Sequence, residues 1–273
     1  MSLFHCPLCG RPLKDEANTL SCPSGHSFDR AKEGYVNLLP VSRKNSRMPG
    51  DDQGMASARR AFLDRGWYAP LRDALCQLSA ELAGPSPTVL DAGCGEGYYT
   101  AGVQDALASA GKTARMAGVD ISKFSVRKAA KRYKNIEFAV ASSYRLPVAD
   151  HMVDLLLNVF SPLALDEFRR VLRPGGVYLY VVPAAMHLWE LKEVLYEHPY
   201  PNEEKETLYP GFTYDRIVPV DRVIRLPAQA DIHALFQMTP YYWKTPKEGA
   251  ARLAALETLD CRTSFRIHVF RRM

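Results

Sequence analysis

The sequence predicts an α/β fold: a mostly parallel sheet flanked by helices, with a small metal-binding module ahead of it. Three observations carry this. Residues 88–180 alternate short apolar runs with amphipathic segments, the pattern of repeated βαβ units. The run Val89-Leu90 leads into Asp91-Ala92-Gly93-Cys94-Gly95-Glu96-Gly97, a glycine-rich turn between a strand and a helix start. Residues 1–30 hold Cys6, Cys9, Cys22 and His26 at metal-ligand spacing.

The chain has 273 residues, enough for one large domain with a sizeable core plus a small one. No run of eighteen apolar residues occurs, so no membrane span is expected. Met1–Cys6 lacks the basic and apolar regions of a signal peptide. A net charge of +5 is compatible with a nucleic-acid partner without requiring one. Of six cysteines, three cluster at the N-terminus while Cys76, Cys94 and Cys261 are scattered. That suits metal binding in a reducing cytoplasm better than a disulfide framework.

The N-terminal spacing is C-x2-C, twelve residues, then C-x3-H. Three thiolates and one imidazole suit tetrahedral Zn²⁺, and four protein ligands leave no open position, so the metal is structural. Gly10 and Gly25 permit the tight knuckle turns. Phe28, Tyr35, Val36, Leu38, Leu39 and Val41 then read as a strand or a cover for the knuckle. Ser42–Asp52, polar and basic with a Pro-Gly pair, reads as a linker. Residues 55–66 look helical until Gly66 and Pro70 break the run. Leu71, Leu75, Leu78 and Leu82 form one face of a second helix, ended by Gly84-Pro85. Trp67 and Tyr68, at the break, either reach a bound ligand or pack in the core.

After the glycine turn, residues 98–110 read as a helix and Ala114–Val119 as a second strand ending at Asp120. In open parallel sheets ligands sit beyond the carboxyl ends of strands, where an acid can accept both hydroxyls of a ribose; Asp120 is the candidate. Lys123, Arg127, Lys128, Lys131, Arg132 and Lys134 follow on one helix with no acid among them. They fit either RNA contact or a solvated face. Ile136–Ala141 and Val153–Val159 read as the third and fourth strands, Asp166–Leu172 as a helix, Arg173–Gly176 as a turn and Val177–Val182 as the fifth strand. His187 lies just past that strand and could bind a cofactor carboxylate, orient substrate or move a proton. Residues 193–240 read as an irregular insertion shaping a cleft, apart from a sixth strand at Val220–Leu226 and a helix from Ile232. Tyr241-Tyr242-Trp243 could stack a base or pack on the sheet, and Ser264–Phe270 reads as the last strand.

Spacing decides the nucleotide. A dinucleotide fingerprint needs Gly or Ala at the sixth position, and counting from Gly93 or Gly95 gives Tyr98 or Thr100. The string D-x-G-x-G-x-G instead resembles motif I of the class I S-adenosylmethionine-dependent methyltransferases. The resemblance implies a class I methyltransferase (Rossmann-like) sheet. It implies that Gly93, Gly95 and Gly97 fit the methionine part of the cofactor, that Asp91 holds its amino end and that Asp120 takes the ribose. Val171-Leu172-Arg173-Pro174-Gly175-Gly176 is a second feature of that superfamily. So is the position of Asn158-Val159-Phe160-Ser161-Pro162, where such enzymes place substrate-facing residues.

Nearly end to end, the chain resembles the bacterial guanine-N1 methyltransferases of large-subunit ribosomal RNA. The four-ligand knuckle, Ala31–Pro40, Arg59-Arg60 before Ala61-Phe62-Leu63, Gly93–Thr100, and His187 with Leu191-Lys192 carry the resemblance. It implies a zinc-binding RNA-recognition domain over 1–38 and a methyltransferase domain over 39–273. Expected cofactor contacts are Tyr68, Asp91, Gly93, Gly95, Glu96, Gly97, Tyr99, Thr100, Asp120 and His187, and expected zinc ligands are Cys6, Cys9, Cys22 and His26. The implied substrate is a 23S ribosomal RNA hairpin, with a homodimer kept as a further option and the housekeeping branch preferred to the macrolide-resistance one. The rival readings are a small-molecule methyltransferase, which would need neither knuckle nor basic helix, and an RNA-binding protein with an inactive catalytic domain.

Overall fold

Two apolar layers lie on the two faces of one sheet, and the order of strands follows from which runs are buried on both sides. The structure, a computed structural model, describes residues 1–40 and 50–273. Val41 and most of the expected linker, Ser42–Pro49, lie outside the described residues.

The N-terminal module contains β1 (Lys14–Glu16), β2 (Thr19–Ser21) and β3 (Ser27–Asp29), a small antiparallel sheet. Then come β4 (Val36–Asn37), α1 (Gln53–Asp64), α2 (Ala69–Leu82), β5 (Thr88–Ala92), α3 (Tyr98–Ser109), β6 (Arg115–Asp120), α4 (Lys123–Arg132) and β7 (Glu137–Val140). The chain continues through β8 (Val153–Val159), α5 (Leu165–Val171), β9 (Leu172–Pro183), α6 (Trp189–Leu195), β10 (Phe212–Leu226), α7 (Gln229–Gln237), α8 (Lys247–Ala254) and β11 (Leu259–Arg272). The eight-stranded sheet runs β10-β11-β9-β8-β5-β6-β7-β4. From β4 to β9 all neighbours are parallel, and β11 is antiparallel to both β9 and β10. The order reverses direction at β5 and β8, so their carboxyl ends open a crevice suited to a ligand.

One face is covered by helices. Leu71, Leu75 and Leu78 of α2, Val103 and Leu107 of α3, and Val126 and Ala129 of α4 pack there with Val89, Leu155 and Leu157. The other face is covered by α5 and by the N-terminal module. Leu3, Phe4, Leu13 and Leu20 are buried with Leu90, Ala117, Ala139, Leu156 and Phe168. No helix forms between β7 and β8; the N-terminal module packs beside that crossover, and the His5 N–H donates to the Pro147 carbonyl at 2.8 Å. β4 extends the sheet beyond β7, so the chain from the knuckle is tied to the sheet by main-chain bonds.

Several expectations need correction. The reading of 193–240 as largely irregular misses that β10 begins at Phe212 and pairs with β11 along its whole length, through one irregularity between Tyr214 and Arg216. α8 was not anticipated, and the final strand starts earlier than Ser264, at Leu259. The Arg173–Gly176 turn does not precede the fifth strand. It is looped out inside β9, between the pairs Val153–Leu172 and Leu155–Val177, with Gly175 at φ +76°. Two of the basic residues read as uncompensated on α4 have acidic partners. Arg127 pairs with Glu33 at 2.8 Å and Arg132 with Asp64 at 2.5 Å, acids supplied by other segments.

Candidate active site and metal centre

The metal centre is built by two turns facing each other. Ligand atoms of Cys6, Cys9, Cys22 and His26 all lie within 4.8 Å of one another. Gly10 and Gly25 stand at φ +73° and +81°, which a side chain would strain. Cys22 N–H donates to the His26 carbonyl at 3.0 Å, closing the second turn. Three sulfurs and one ring nitrogen in this cluster fit Zn²⁺.

The second site lies where β5 and β8 end. Gly93, Gly95 and Gly97 have φ of +96°, +55° and +85°. Their surroundings differ. A Cβ on Gly93 would lie 2.1 Å from Ser161 Oγ, so the exits of β5 and β8 touch only because that residue is glycine. A Cβ on Gly95 would meet nothing within 4 Å, which leaves open space over the turn for a ligand. Asp91 is buried and accepts a 2.6 Å bond from the Thr100 hydroxyl. Burial pushes its carboxyl up to about 7, opposed by the Thr100 bond and reinforced by the Asp120 charge. Asp120, recessed at the end of β6, accepts Gly95 N–H at 2.9 Å and Ser122 N–H at 2.7 Å, one on each oxygen. Burial raises its pKa too, against those two bonds.

His187 and Tyr68 come together across the sequence. Their ring centres are 6.2 Å apart, and both pack on Phe265, at 4.6 Å and 4.9 Å. The turn after β9 is stitched to β11 by Ala184 N–H to the Ser264 carbonyl and Leu188 N–H to the Arg262 carbonyl. Ser264 N–H also donates to His187 Nδ1 at 3.2 Å. Burial, with the Lys192 ammonium next, depresses the imidazole to about 3, so the ring is neutral. Because Nδ1 accepts, the ring proton sits on Nε2, and His187 presents a donor. It is therefore unsuited to taking a proton, one of the three roles open to it in the sequence. Tyr68 packs as a core aromatic against Phe62 and stands beside His187.

Several buried polar atoms of this region have no partner among the described residues: Asp91 Oδ1, both oxygens of Glu96, the Tyr99 hydroxyl and Asn158 Oδ1. Unpaired buried acceptors are costly, and their grouping around the motif fits a polar ligand. Burial raises the Glu96 carboxyl pKa, reinforced by the Asp64 charge and opposed by Arg132, Arg60 and Arg59. Ser264 and Phe265, read in the sequence only as part of the last strand, reach the site on β11 from far along the chain, and nothing local marks them for it. The sequence reading named Asn158–Pro162 without the strain at Phe160, whose φ is +52°.

Residues 4–47 match the zinc-ribbon family described as "RlmA, N-terminal", and residues 84–216 match a family described as "Methyltransferase domain". YxjB of Bacillus subtilis, named by inference as a 23S rRNA (guanine-N(1)-)-methyltransferase, is 35% identical over 271 residues, covering 95% of this chain and 93% of its own. A Streptomyces fradiae protein named 23S rRNA (guanine(748)-N(1))-methyltransferase is 40% identical, covering 70% of this chain and 67% of its own. Among solved structures, an Anaeromyxobacter dehalogenans protein described provisionally as a type II methyltransferase matches with TM-score 0.50 and 22% identity, over 72% of this chain and 94% of that one, a likeness of fold alone. With one such relative matching along almost its whole length and another over 70% of it, the chain belongs to the family of bacterial 23S rRNA guanine-N1 methyltransferases.

Proposed function

We propose that this protein methylates N1 of one guanine in a 23S ribosomal RNA hairpin, in the cytoplasm, using S-adenosylmethionine. The observation that carries the reading is the contact of the β5 and β8 exits at Gly93 and Ser161, with open space above Gly95 and unpaired buried acceptors around it. The relatives' names supply the substrate. The cofactor, when bound, supplies a methyl already activated on a sulfonium, so positioning is the main task left to the protein.

The residues divide that task. Ionised Asp91 holds the cofactor ammonium, while Thr100 fixes its carboxylate. Asp120 uses the lone pairs left by its two backbone bonds to accept the ribose hydroxyls. His187 Nε2–H and the Tyr68 hydroxyl donate to the cofactor carboxylate. Gly93, Gly95 and Gly97 keep the main chain free of side chains, with Glu96 and Tyr99 completing the wall. The guanine must leave its stack to reach the methyl.

Residues 1–38 form the proposed RNA-recognition domain, held by zinc on Cys6, Cys9, Cys22 and His26, and 39–273 the methyltransferase domain. A cleft of about 570 Å³ between the knuckle, at His5 and Gly10, and the exposed Tyr144-Arg145 offers a place for RNA. On α4, Lys123 and Lys131 stay exposed without acidic partners among the described residues and can meet phosphates. Pairing with a second copy of the chain belongs to the same proposal.

The test is methyl transfer from labelled S-adenosylmethionine to unmodified 23S rRNA, with the product nucleoside identified and mapped. A single N1-methylguanosine in a hairpin is expected. Methyl on another position, or none despite cofactor binding, would overturn the reading.

A further inference from the structure

Phe160 combines three features found together at no other aromatic residue described. Its backbone sits at φ +52°, a region side chains rarely adopt. It is 46% exposed. It follows β8 directly, next to Ser161, the residue that packs on Gly93. The surroundings over-determine this strained turn. Phe160 N–H donates to the Val181 carbonyl at 3.3 Å. Asn158 Nδ2 donates to the Ala92 and Pro162 carbonyls at 3.1 and 3.4 Å, bracketing the turn. Strain held in place by such a frame is a mark of function rather than of folding. The ring of Phe160 is left half-exposed rather than enclosed in the core.

The ring leans on Phe265, centre to centre 5.4 Å, tilted by 43°. Phe265 is the same ring that carries Tyr68 and His187. Phe160 therefore stands one ring away from the two residues proposed for the cofactor carboxylate. A half-exposed aromatic ring with a fixed backbone offers the π-face that an unstacked base requires.

We propose that Phe160 is the platform on which the extruded target guanine stacks. This inference rests on the RNA-methyltransferase reading above and specifies the substrate's position within it. Phe160 would receive the base after it leaves the RNA stack and hold its plane beside the cofactor. Phe160 makes no bond in the reaction; its contribution is binding and orientation.

The experiment uses the full zinc-loaded chain and two forms of one 23S rRNA fragment, identical except that the second carries an abasic nucleotide at the target. Phe160→Ala should weaken binding of the guanine form and lower kcat/KM by about 10- to 100-fold, as loss of one base-stacking ring does. It should leave the abasic form's affinity and cofactor affinity within about twofold of wild type. Phe160→Trp should restore activity. Phe160→Gly removes both ring and strain, so it should melt no lower than wild type yet be as impaired as the alanine variant. Equal losses on guanine and abasic RNA, or full activity of Phe160→Gly, would overturn the proposal. Wild type failing to methylate the guanine fragment would instead overturn the underlying functional reading.

Discussion

Asp91 sets a pH dependence of its own. Burial raises its carboxyl to about 7, far above the value of about 3.9 in an unfolded chain. Folding therefore favours the protonated form. The ligand-free protein has this contribution in full below about pH 4 and loses it as the pH climbs to about 7. A cofactor ammonium favours the opposite, ionised form. Affinity for S-adenosylmethionine should therefore rise about tenfold between pH 6 and pH 8, following the ionised fraction of a group near 7. Asp91→Asn should bind more weakly, with that slope flattened. Calorimetric titration across the range decides it: an unchanged slope in the variant would assign the titration to another group. Asp91 and Asp120 were legible in the sequence because an acid at the end of an apolar run says where it will sit. The neutral, Nε2-protonated state of His187 was not, since it depends on the backbone of Ser264 in a distant strand.

At the scale of the element, the glycine turn separates fold from ligand. Gly93 and Gly95 both have positive φ, and a side chain in that region costs roughly 1–2 kcal/mol. Only Gly93 also faces a clash, with Ser161. Gly93→Ala should lower the melting temperature by several degrees more than Gly95→Ala, because the β5 and β8 exits must separate. Gly95→Leu should keep the fold, losing roughly 1–2 kcal/mol, but reduce cofactor affinity at least tenfold by filling the open space. Paired melting curves and cofactor titrations give the answer; a Gly95→Leu protein that binds normally would remove this turn from the cofactor site. The turn could be read from sequence because its chemistry lies within seven consecutive residues. β10 could not be read in full: it alternates Tyr214, Arg216, Val218, Val220 and Arg222 unevenly, as its outer position and partial exposure allow. Its extent is fixed by pairing with β11, not by its own pattern.

For the molecule as a whole, the knuckle is part of the core. Leu3, Phe4, Leu13 and Leu20 share one apolar layer with the strands of the large sheet. So few residues cannot fold alone, and structural zinc supplies roughly 10–16 kcal/mol in small fingers. Chelation should raise amide exchange across residues 1–30 and also at β4 and β7, lower the melting temperature, and weaken RNA binding more than cofactor binding. Exchange confined to residues 1–30 would mean that the module sits on the sheet without supporting it. The sequence by itself determined the α/β class, the zinc ligand set, the glycine turn with its two acids, and the family. Each of these rests on neighbouring residues or on a short repeated spacing, so local chemistry suffices. Only the tertiary structure decided that the knuckle takes the face beside the β7–β8 crossover, that the acids Glu33 and Asp64 answer the basic helix, and that Tyr68, His187, Phe265 and Phe160 meet. Those contacts join segments far apart in the chain, and they exist only once burial of the shared core has fixed the order of the strands.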